Sequence, residues 1–319
     1  MALISQDLTQ AVHFLEKEEL VAIPTETVYG LAGNIYSEKA IKAIFAMKKR
    51  PFFNPLIVHI HSKSQLADIV DSIPEKAQKL ADAFWPGSLT MVLKKKSCVP
   101  DLITAGKDTV GVRIPDHQLT LELLRTINFP LAAPSANPFG SISPTTALHV
   151  AEYFHDSLPM VLDGGECKNG IESTIVGFED GEVVIYRLGS ISLETIESVI
   201  GKVTIKNKKD TAPDAPGMLS RHYAPTTTTY LKNDVASFID DFPNQKIGLI
   251  LFKDKIKHDK VVHQEILSPK GDIVEAASQL YAALHRLDKM NLDLIIAEKF
   301  PEYELGKSIN DRLERATKK

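Results

Sequence analysis

Residues 48–59, KKRPFFNPLIVH, carry the side chains of this sequence that are best suited to bind an anion. Three consecutive cations open the segment, Lys48, Lys49 and Arg50, and Asn54 adds an amide between two prolines. The order of residues predicts a helix end, a loop and then a buried strand. Small anionic ligands bind at such sheet edges in open α/β folds. The alternative is a solvated helix C-terminus, where cations also suit the helix dipole.

A second candidate anion partner is Arg113, in the apolar segment TVGVRIP (109–115). The segment predicts a strand with Val110, Val112 and Ile114 on one face and Arg113 on the other. A guanidinium inside an apolar strand is costly unless it is paired with an anion. Arg113 is therefore a stronger site candidate than the lysines that end a neighbouring strand.

His59 and His61 are two residues apart on the strand predicted over 55–61, so they share one face. Two histidines at this spacing could bind a metal, but no Cys or acidic ligand motif accompanies them. We therefore favour a buried or substrate-contacting role for His59, and the sequence identifies no metal ligands.

The segment APSANPFGSISP supplies small polar side chains at the end of another strand, predicted over 130–137. Ser135, Asn137 and Ser143 offer hydrogen bonds, and the small residues allow close backbone approach. Ser143 and Pro144 are expected to begin a helix, whose free N–H groups would suit a phosphate. The alternative is an ordinary capped turn, which needs only one of these serines.

Several common catalytic motifs are missing from the sequence. It has neither the G-x-x-x-x-G-K-[ST] phosphate loop nor a dinucleotide G-x-G-x-x-G after a strand. It has no G-x-S-x-G elbow, and Cys167 has no evident His base, so covalent catalysis is not indicated. The remaining Arg, Lys, Ser, Thr and Asn predict binding of a nucleotide or another polyanion, with catalysis by positioning and charge neutralisation. From the residues alone, an enzyme and an RNA-binding module both remain open.

Two α/β units are expected to position these residues, since 319 residues suffice for two domains of about 150 residues each. A stretch rich in Lys, Pro and Thr, with little helical period, separates them and is interpreted as a linker. The predicted parts are a first α/β domain, a linker and a smaller α/β domain, over residues 1–204, 205–230 and 231–319.

Short local signals fix several element ends. Ser5 is a candidate N-cap for a helix over 5–19, and Ser37 and Ser192 are candidate N-caps for two later helices. Glu179-Asp180-Gly181 predicts a hairpin turn.

The linker contains a cluster of side chains that a passive spacer does not need. Arg221, His222 and Tyr223 lie within PGMLSRHYAP, between prolines. We interpret the segment as a lid over a nucleotide site, because lid closure excludes water and prolines limit the conformations to be ordered. The alternative is that Tyr223 packs on the first domain as a hydrophobic anchor.

Composition and charge exclude several classes of protein. The chain is 44% hydrophobic and 24% charged, as is usual for a globular protein, and its net charge of -4 makes any positive site a local patch. Cys98 and Cys167 have no metal spacing and suit a reducing cytosol. No run approaches the roughly 18 apolar residues of a membrane span, and the first residues lack signal-peptide features. We therefore expect a cytoplasmic protein without membrane contact.

Six segments, in this order, resemble the YrdC-like family: PTETVYGLAGN, KKRPFFNPLIVHI, WPGSLTMVL, TVGVRIP, APSAN and ESTIV. The later PGMLSRHYAP and SINDRLERA resemble the two-domain threonylcarbamoyl-AMP synthases of that family, so the resemblance covers nearly the whole chain. The combination of K-x-R (Lys48, Arg50) with S-x-N (Ser135, Asn137) is specific within those flanks. The resemblance implies an open twisted mixed sheet with flanking helices, plus a smaller Rossmann-like C-terminal α/β domain.

The resemblance implies a nucleotidyl-transfer reaction in which L-threonine, bicarbonate or CO₂, and ATP give L-threonylcarbamoyladenylate and diphosphate. The product would supply the threonylcarbamoyl modification of adenosine in certain tRNAs. The expected partners are downstream threonylcarbamoyl-transferase proteins, together with a weak contact to tRNA. Mg²⁺ is expected to accompany ATP, and no tightly bound organic cofactor is expected.

The resemblance also assigns roles to the matching positions. The residues of the family signature are assigned to catalysis: Lys48, Arg50 and Asn137. Those assigned to the threonine pocket are Thr27, His59, Arg113, Ala133 and Ser173. Those assigned to ATP are Arg50, Asn54, Thr109, Ser135, Ser143, Arg187 and Tyr223.

Two other functions remain as alternatives. One is an RNA-binding module of a tRNA-modification complex, with no turnover of its own. The other is a carbamoyl transferase, because YrdC-like domains occur within hydrogenase-maturation proteins. Those proteins also carry zinc-finger regions, and this sequence has no Cys-rich segment.

Overall fold

The computed structural model describes residues 2–208, 213–220 and 222–318. Within these ranges the chain forms two α/β units. One is built on an 11-stranded mixed sheet and the other on a 4-stranded parallel sheet. The larger sheet is open, with different strands at its two edges. The predicted fold class, an open mixed sheet with flanking helices and a smaller Rossmann-like unit, is confirmed.

The first unit alternates short strands with helices along the chain. Its strands are Leu3–Ser5 (β1), Val21–Ile23 (β2), Gly30–Asn34 (β3), Ile57–His59 (β4), Leu89–Lys94 (β5), Thr109–Arg113 (β6), Leu131–Ala132 (β7), Met160–Leu162 (β8), Thr174–Glu179 (β9), Glu182–Arg187 (β10) and Thr204–Ile205 (β11). Its α-helices are Leu8–Glu16 (α1), Glu38–Lys48 (α2), Lys63–Ile69 (α3), Glu75–Phe84 (α4), Asp101–Thr104 (α5), Gln118–Thr126 (α6), Ala147–Phe154 (α7) and Leu193–Ile200 (α8).

The strand order of the large sheet is β1-β8-β2-β3-β7-β4-β6-β5-β9-β10-β11. Parallel and antiparallel pairs alternate irregularly along it, so the carboxyl ends of the strands do not all meet at one edge. Because β4 and β6 are parallel neighbours, His59 lies directly beside Arg113. The centre of the sheet therefore brings together the two residues that the sequence singled out on separate strands.

The two faces of the central strands are covered differently. Val58, Val112 and Val176 point into the main core, which includes apolar side chains of the helices. On the opposite face, Ile57 and Ile175 pack with residues of the predicted linker. Since His59 is two residues from Ile57, its side chain lies on the face covered by the linker.

In the part of the chain that the structure describes, the second unit contains a four-stranded sheet and three helices. Its elements are Thr228–Lys232 (β12), Val235–Ile239 (α9), Ile247–Leu251 (β13), Val261–Ile266 (β14), Ile273–Asp288 (α10), Leu294–Glu298 (β15) and Leu305–Ala316 (α11). Its strand order is β12-β15-β13-β14, with every pair parallel.

The two units share one apolar cluster. Val28, Ile142 and Ile171 of the first unit belong to the same buried cluster as Tyr281 on α10 and Ile309 on α11. Burial of apolar surface is the main favourable term in such contacts. The two units are therefore packed against each other through α10 and α11.

Two local predictions were wrong. Ser5 ends strand β1, and the N-cap of α1 is Asp7, whose side chain accepts a hydrogen bond from the Gln10 amide. Ser143 and Pro144 do not begin a helix; α7 begins at Ala147, capped by Thr146. Pairing of β1 with β8 draws Ser5 into the sheet, and the Ser143 hydroxyl is engaged by a distant carboxylate described below.

The predicted linker contains regular structure at both ends. Strand β11 pairs in parallel with β10 of the first sheet, and β12 begins at Thr228 in the second sheet. Residues 209–212 and Arg221 lie outside the described residues. The domain boundaries stay a prediction. No helix in the described ranges is both long and apolar enough to cross a membrane.

Candidate active site

One cavity is bordered by loops and strand ends from both sides of the central strands. It is lined by arginines, small hydroxyl side chains and backbone, contributed by Thr25, Thr27, Val28, Gly30, Arg50, Ile57, His59, Arg113, Ala133, Pro134, Ser135, Glu172, Ser173, Arg187, Pro216, Gly217, His222 and Tyr223. Most of the residues that the family resemblance assigns to threonine or ATP lie in this set. The cavity is therefore the candidate site.

Arg50 and Arg187 are two buried cations on this cavity. Arg50 follows α2, whose C-cap residue Lys49 has a left-handed backbone conformation. The Arg50 guanidinium donates to the carbonyls of Asn54 (3.1 Å) and Pro55 (2.7 Å). Arg187 ends β10 and donates to the Ser173 carbonyl and hydroxyl, both at 3.0 Å. Burial, with a smaller contribution from nearby Arg187, lowers the pKa of Arg50 to about 9. A bound anion would relieve this repulsion, so the pair favours an anionic ligand.

Lys48 joins the K-x-R and S-x-N motifs into one unit. Its buried ammonium donates to the carbonyls of Ser135 and Asn137, each at 2.5 Å. The Asn137 amide in turn donates to the Ser141 carbonyl at 2.8 Å. Burial, and then Arg50, hold the pKa of Lys48 well below its ordinary value. Neither Lys48 nor Asn137 lines the cavity, so their contacts are positional and their catalytic assignment stays a prediction.

Arg113 forms an ion pair with Glu26 at 2.6 Å, and both side chains are buried. Glu26 also accepts from the Ser88 hydroxyl and the Asp116 amide, each at 2.9 Å. The expectation that Arg113 needs an anion is correct, but the protein itself supplies one. Glu26 was missed, although a carboxylate between two threonines directly after a buried strand is a signal that the sequence contains.

His59 is buried beside Arg113, and its Nδ1 atom has no hydrogen-bond partner among the described residues. Burial, with a smaller contribution from Arg113, lowers the pKa of His59 to about 3. The imidazole is therefore neutral at physiological pH. It can donate or accept a hydrogen bond without adding a charge to the cavity. Within the described part of the chain, no group of three or more His, Cys, Asp or Glu residues could hold a metal ion.

Threonines and a serine shape the wall next to Arg113. The Thr25 hydroxyl donates to the Val28 carbonyl at 2.6 Å and lies 2.8 Å from the Thr27 hydroxyl. The Ser173 hydroxyl lies 2.8 Å from that of Thr90. These bonds fix the loop after β2 and the start of β9, which hold Thr27 and Ser173 on the cavity. Sequence reasoning missed Thr25, which the first motif also contains.

Three residues assigned to ATP do not line the cavity. Asn54 is buried next to Arg50, and its side-chain amide atoms have no partner among the described residues. The Ser143 hydroxyl donates to Glu172 at 2.6 Å, behind the cavity wall. Thr109 lines a separate cavity together with Lys107. Their roles toward ATP stay predictions.

Four described residues of the predicted linker line the cavity: Pro216, Gly217, His222 and Tyr223. Gly217 has φ +85°, and a Cβ atom there would lie 2.6 Å from the Cδ atom of Arg187, so only glycine fits. Tyr223 is buried with φ +62°, a strained conformation for a tyrosine. Ala215 and Met218 pack into the apolar cluster on the sheet face and hold the segment in place.

Two family models match the chain. One, named Sua5_yciO_yrdC with the description "Telomere recombination", matches residues 13–189. The other, the C-terminal domain of threonylcarbamoyl-AMP synthase, matches residues 191–317. The chain belongs to the Sua5/YrdC family. This confirms the resemblance drawn from the motifs, including its two-domain form.

Members of the Sua5/YrdC family match nearly the full chain. The threonylcarbamoyl-AMP synthase of Pyrococcus abyssi is 42% identical, over 96% of this chain and 93% of its own. That of Bacillus subtilis is 38% identical, over 97% of this chain and 92% of its own. The crystal structure of P. abyssi Sua5 complexed with L-threonine has a TM-score of 0.90 and 38% identity, covering 99% of this chain and 97% of that one.

The buried neutral His59 generates a prediction about stability and pH. Its folded pKa of about 3 lies below the ordinary value of 6.5, so between these pH values the unfolded chain binds a proton that the folded chain does not. The contribution of His59 to stability should therefore fall by about 2 kcal/mol from pH 7 to pH 5. Denaturant unfolding at both pH values should show a smaller acid-induced loss for His59→Asn than for the unmodified chain.

The matched control is His61→Asn, since His61 is half-buried on the same segment. This variant also removes a histidine from the segment but leaves buried His59 in place, so the difference in acid-induced loss between the two variants measures the effect of burial at position 59. An acid-induced loss that is identical in all three proteins would contradict the prediction.

Proposed function

We propose that this chain is a threonylcarbamoyl-AMP synthase, which converts L-threonine, bicarbonate or CO₂, and ATP into L-threonylcarbamoyladenylate and diphosphate. The observation that carries the proposal is the cavity in which buried Arg50 and Arg187 face the same space as the Arg113–Glu26 pair. The positive charges of Arg50 and Arg187 suit the phosphates of ATP. The separate polar region around Arg113 suits an amino acid. The full-length membership of the Sua5/YrdC family supports the same reaction.

The amino-acid half of the site is proposed to surround Arg113. One edge of its guanidinium is held by Glu26 and the Gly87 carbonyl, which fixes its orientation for a carboxylate ligand. Neutral His59 would contact threonine without repelling its ammonium group. We propose that Thr27, Ala133 and Ser173 complete the pocket.

The nucleotide half is proposed to lie under Arg50, Arg187 and the linker. The ammonium group of threonine first loses a proton to solvent, and the free amine nitrogen then attacks the carbon of CO₂. A second N–H proton passes to solvent, which leaves a carbamate. A carbamate oxygen then attacks the α-phosphorus, the bond to the β-phosphate oxygen breaks, and diphosphate leaves with the electron pair. Buried cations offset the charge on the phosphates during this displacement. We propose that Asn54, Thr109, Ser135, Ser143 and Tyr223 complete the ATP site, and that Lys48 and Asn137 position its loops.

Mg²⁺ is proposed to enter with ATP as its phosphate complex, where it supplies further charge neutralisation. Among the described residues that line the cavity, Glu172 contributes the carboxylate, and both of its oxygens already accept hydrogen bonds from the protein. The residues therefore fit a cation held mainly by nucleotide oxygens and water rather than by a protein cage, which is usual for Mg²⁺.

The product is a reactive mixed anhydride, so we propose that it passes to downstream threonylcarbamoyl-transferase proteins that modify tRNA, with weak contact to tRNA itself. A cytoplasmic location would suit this role. Both cysteines are free, Cys98 exposed and Cys167 buried, which agrees with a reducing compartment.

Mass spectrometry of the product tests the proposed function. The purified full-length chain with ATP, threonine and bicarbonate should form threonylcarbamoyladenylate and diphosphate, and omission of threonine should abolish both. An RNA-binding module without turnover would form neither. Turnover that requires carbamoyl phosphate in place of threonine and bicarbonate would instead identify a carbamoyl transferase.

Arg113→Ala should raise the KM for threonine far more than the KM for ATP. Loss of one partner of a buried charge-assisted pair costs about 2–5 kcal/mol of binding. Arg113→Lys keeps a charge near Glu26 but loses the planar fork, so it should raise the threonine KM in a chain that still folds. Arg125→Lys, at an exposed position on α6, is the control and should change neither KM. Equal effects on both substrates would contradict the assignment.

Tyr223→Phe should weaken ATP binding without changing the melting temperature. The buried Tyr223 hydroxyl has no hydrogen-bond partner among the described residues, and a bond to a charged phosphate contributes about 1.5–3 kcal/mol. A larger share of hydrolysed product should accompany the change if the segment is a lid. Tyr230→Phe, in an aromatic cluster of the second unit, is the matched control. If Tyr223→Phe keeps full ATP affinity, Tyr223 is a hydrophobic anchor.

A further inference from the structure

Glu172 is a buried carboxylate in the wall of the candidate site, next to Ser173. One of its oxygens accepts a hydrogen bond of 2.6 Å from the Ser143 hydroxyl. The other accepts from the Tyr281 hydroxyl at 2.9 Å and from two nitrogens of Arg312, each at 3.2 Å. A buried negative charge in a cavity built for an anionic nucleotide needs a compensating cation.

That cation comes from the second unit. Arg312 lies on α11 and is fully buried, and its guanidinium also lies 3.4 Å from Asp311 and 5.3 Å from the centre of the Tyr223 ring. The contact between Arg312 and Glu172 joins residues 140 positions apart in the chain. A helix of the C-terminal unit thus completes the wall of a cavity formed mainly by the first unit.

If Arg312 were removed, the negative charge of Glu172 would be compensated by a different cation, Arg187. Arg187 is the neighbouring cation, because it is hydrogen-bonded to Ser173, the residue after Glu172, and both Arg187 and Glu172 line the cavity. With Arg312 in place, the Arg187 guanidinium is hydrogen-bonded to Ser173 and lines the cavity. An uncompensated Glu172 would attract Arg187 and compete with the phosphates for it.

We propose that Arg312 is a positioning residue for the nucleotide half of the site: it neutralises Glu172 and thereby leaves Arg187 available to the phosphates. This inference rests on the proposed function. It gives the C-terminal unit a defined part in the reaction, because the unit supplies a charge to the site wall as well as packing surface.

The same helix also holds the linker. Arg315 donates to the Leu219 carbonyl and, at 2.8 Å, to the Asn207 carbonyl. It is fixed by two bonds of 2.9 Å to Asp311, the residue before Arg312. A continuous polar network therefore runs along α11 from two points of the linker, Asn207 and Leu219, to Glu172. The orientation of Arg312 depends on the network that also anchors the segment across the cavity.

A double-mutant cycle on the full-length chain tests the proposal. Arg312→Met should raise the KM for ATP about 10-fold, with a much smaller change in the KM for threonine. In the Glu172→Gln background, where no charge needs compensation, the same Arg312→Met substitution should change the ATP KM less than about threefold. The matched control is Arg286→Met, which removes an arginine from an exposed ion pair with Glu265 on the same unit and should change neither KM.

The outcomes separate this inference from the proposed function. If the unmodified chain forms no adenylate, the proposed function is wrong. If it does, an unchanged ATP KM in Arg312→Met, or an equal loss in both backgrounds, overturns the inference. If Arg312→Met folds only in the Glu172→Gln background, this result supports charge compensation. The ATP KM of the double variant is then compared with that of Glu172→Gln alone, and a change of less than about threefold is expected. Failure to fold in both backgrounds means that Arg312 is structural and the inference is wrong.

Discussion

Burial of positive charge is the constraint on which this site depends. Arg50, Arg113, Arg187 and Arg312 are all buried, and they are stabilised in two different ways. Arg113 and Arg312 have carboxylate partners, whereas Arg50 and Arg187 are held mainly by carbonyl and hydroxyl oxygens. Arg50 and Arg187 line the cavity without a dedicated carboxylate, so their charge is left to attract the phosphates of the proposed nucleotide. Arg113 is held along one edge by Glu26 and is proposed to contact the substrate carboxylate as well, whereas Arg312 is compensated by Glu172.

This distribution of charge explains why the two units and the linker cannot be treated separately. The first unit supplies Arg50 and Arg187, the second supplies Arg312, and the linker covers the space between them with Tyr223. The apolar cluster shared by the units excludes water from the ion pair between Arg312 and Glu172, which strengthens it and also raises the cost of breaking it. The proposed nucleotide site therefore depends on both units and on the linker residues that line the cavity.

Local features of the fold could be predicted where a few neighbouring residues decide the geometry. Ser37 and Ser192 cap helices as expected, and Asp180 and Gly181 form the turn between β9 and β10. The same reasoning failed for Ser5 and for Ser143, as described above. In both cases a partner far away in the chain, strand β8 or Glu172, competes successfully for the residue that was expected to cap a helix. At these two positions tertiary contacts override local propensity.

From the sequence alone, the buried-strand and loop positions of Arg, Lys, Ser and Thr predicted anion binding, and the ordered motifs indicated the family. Which charges are paired with each other depends on the tertiary structure. Glu26 and Arg113 are 87 positions apart, and Glu172 and Arg312 are 140 apart. Contacts over such separations depend on strand order and on how α11 packs against the first unit, which no local pattern of residues encodes.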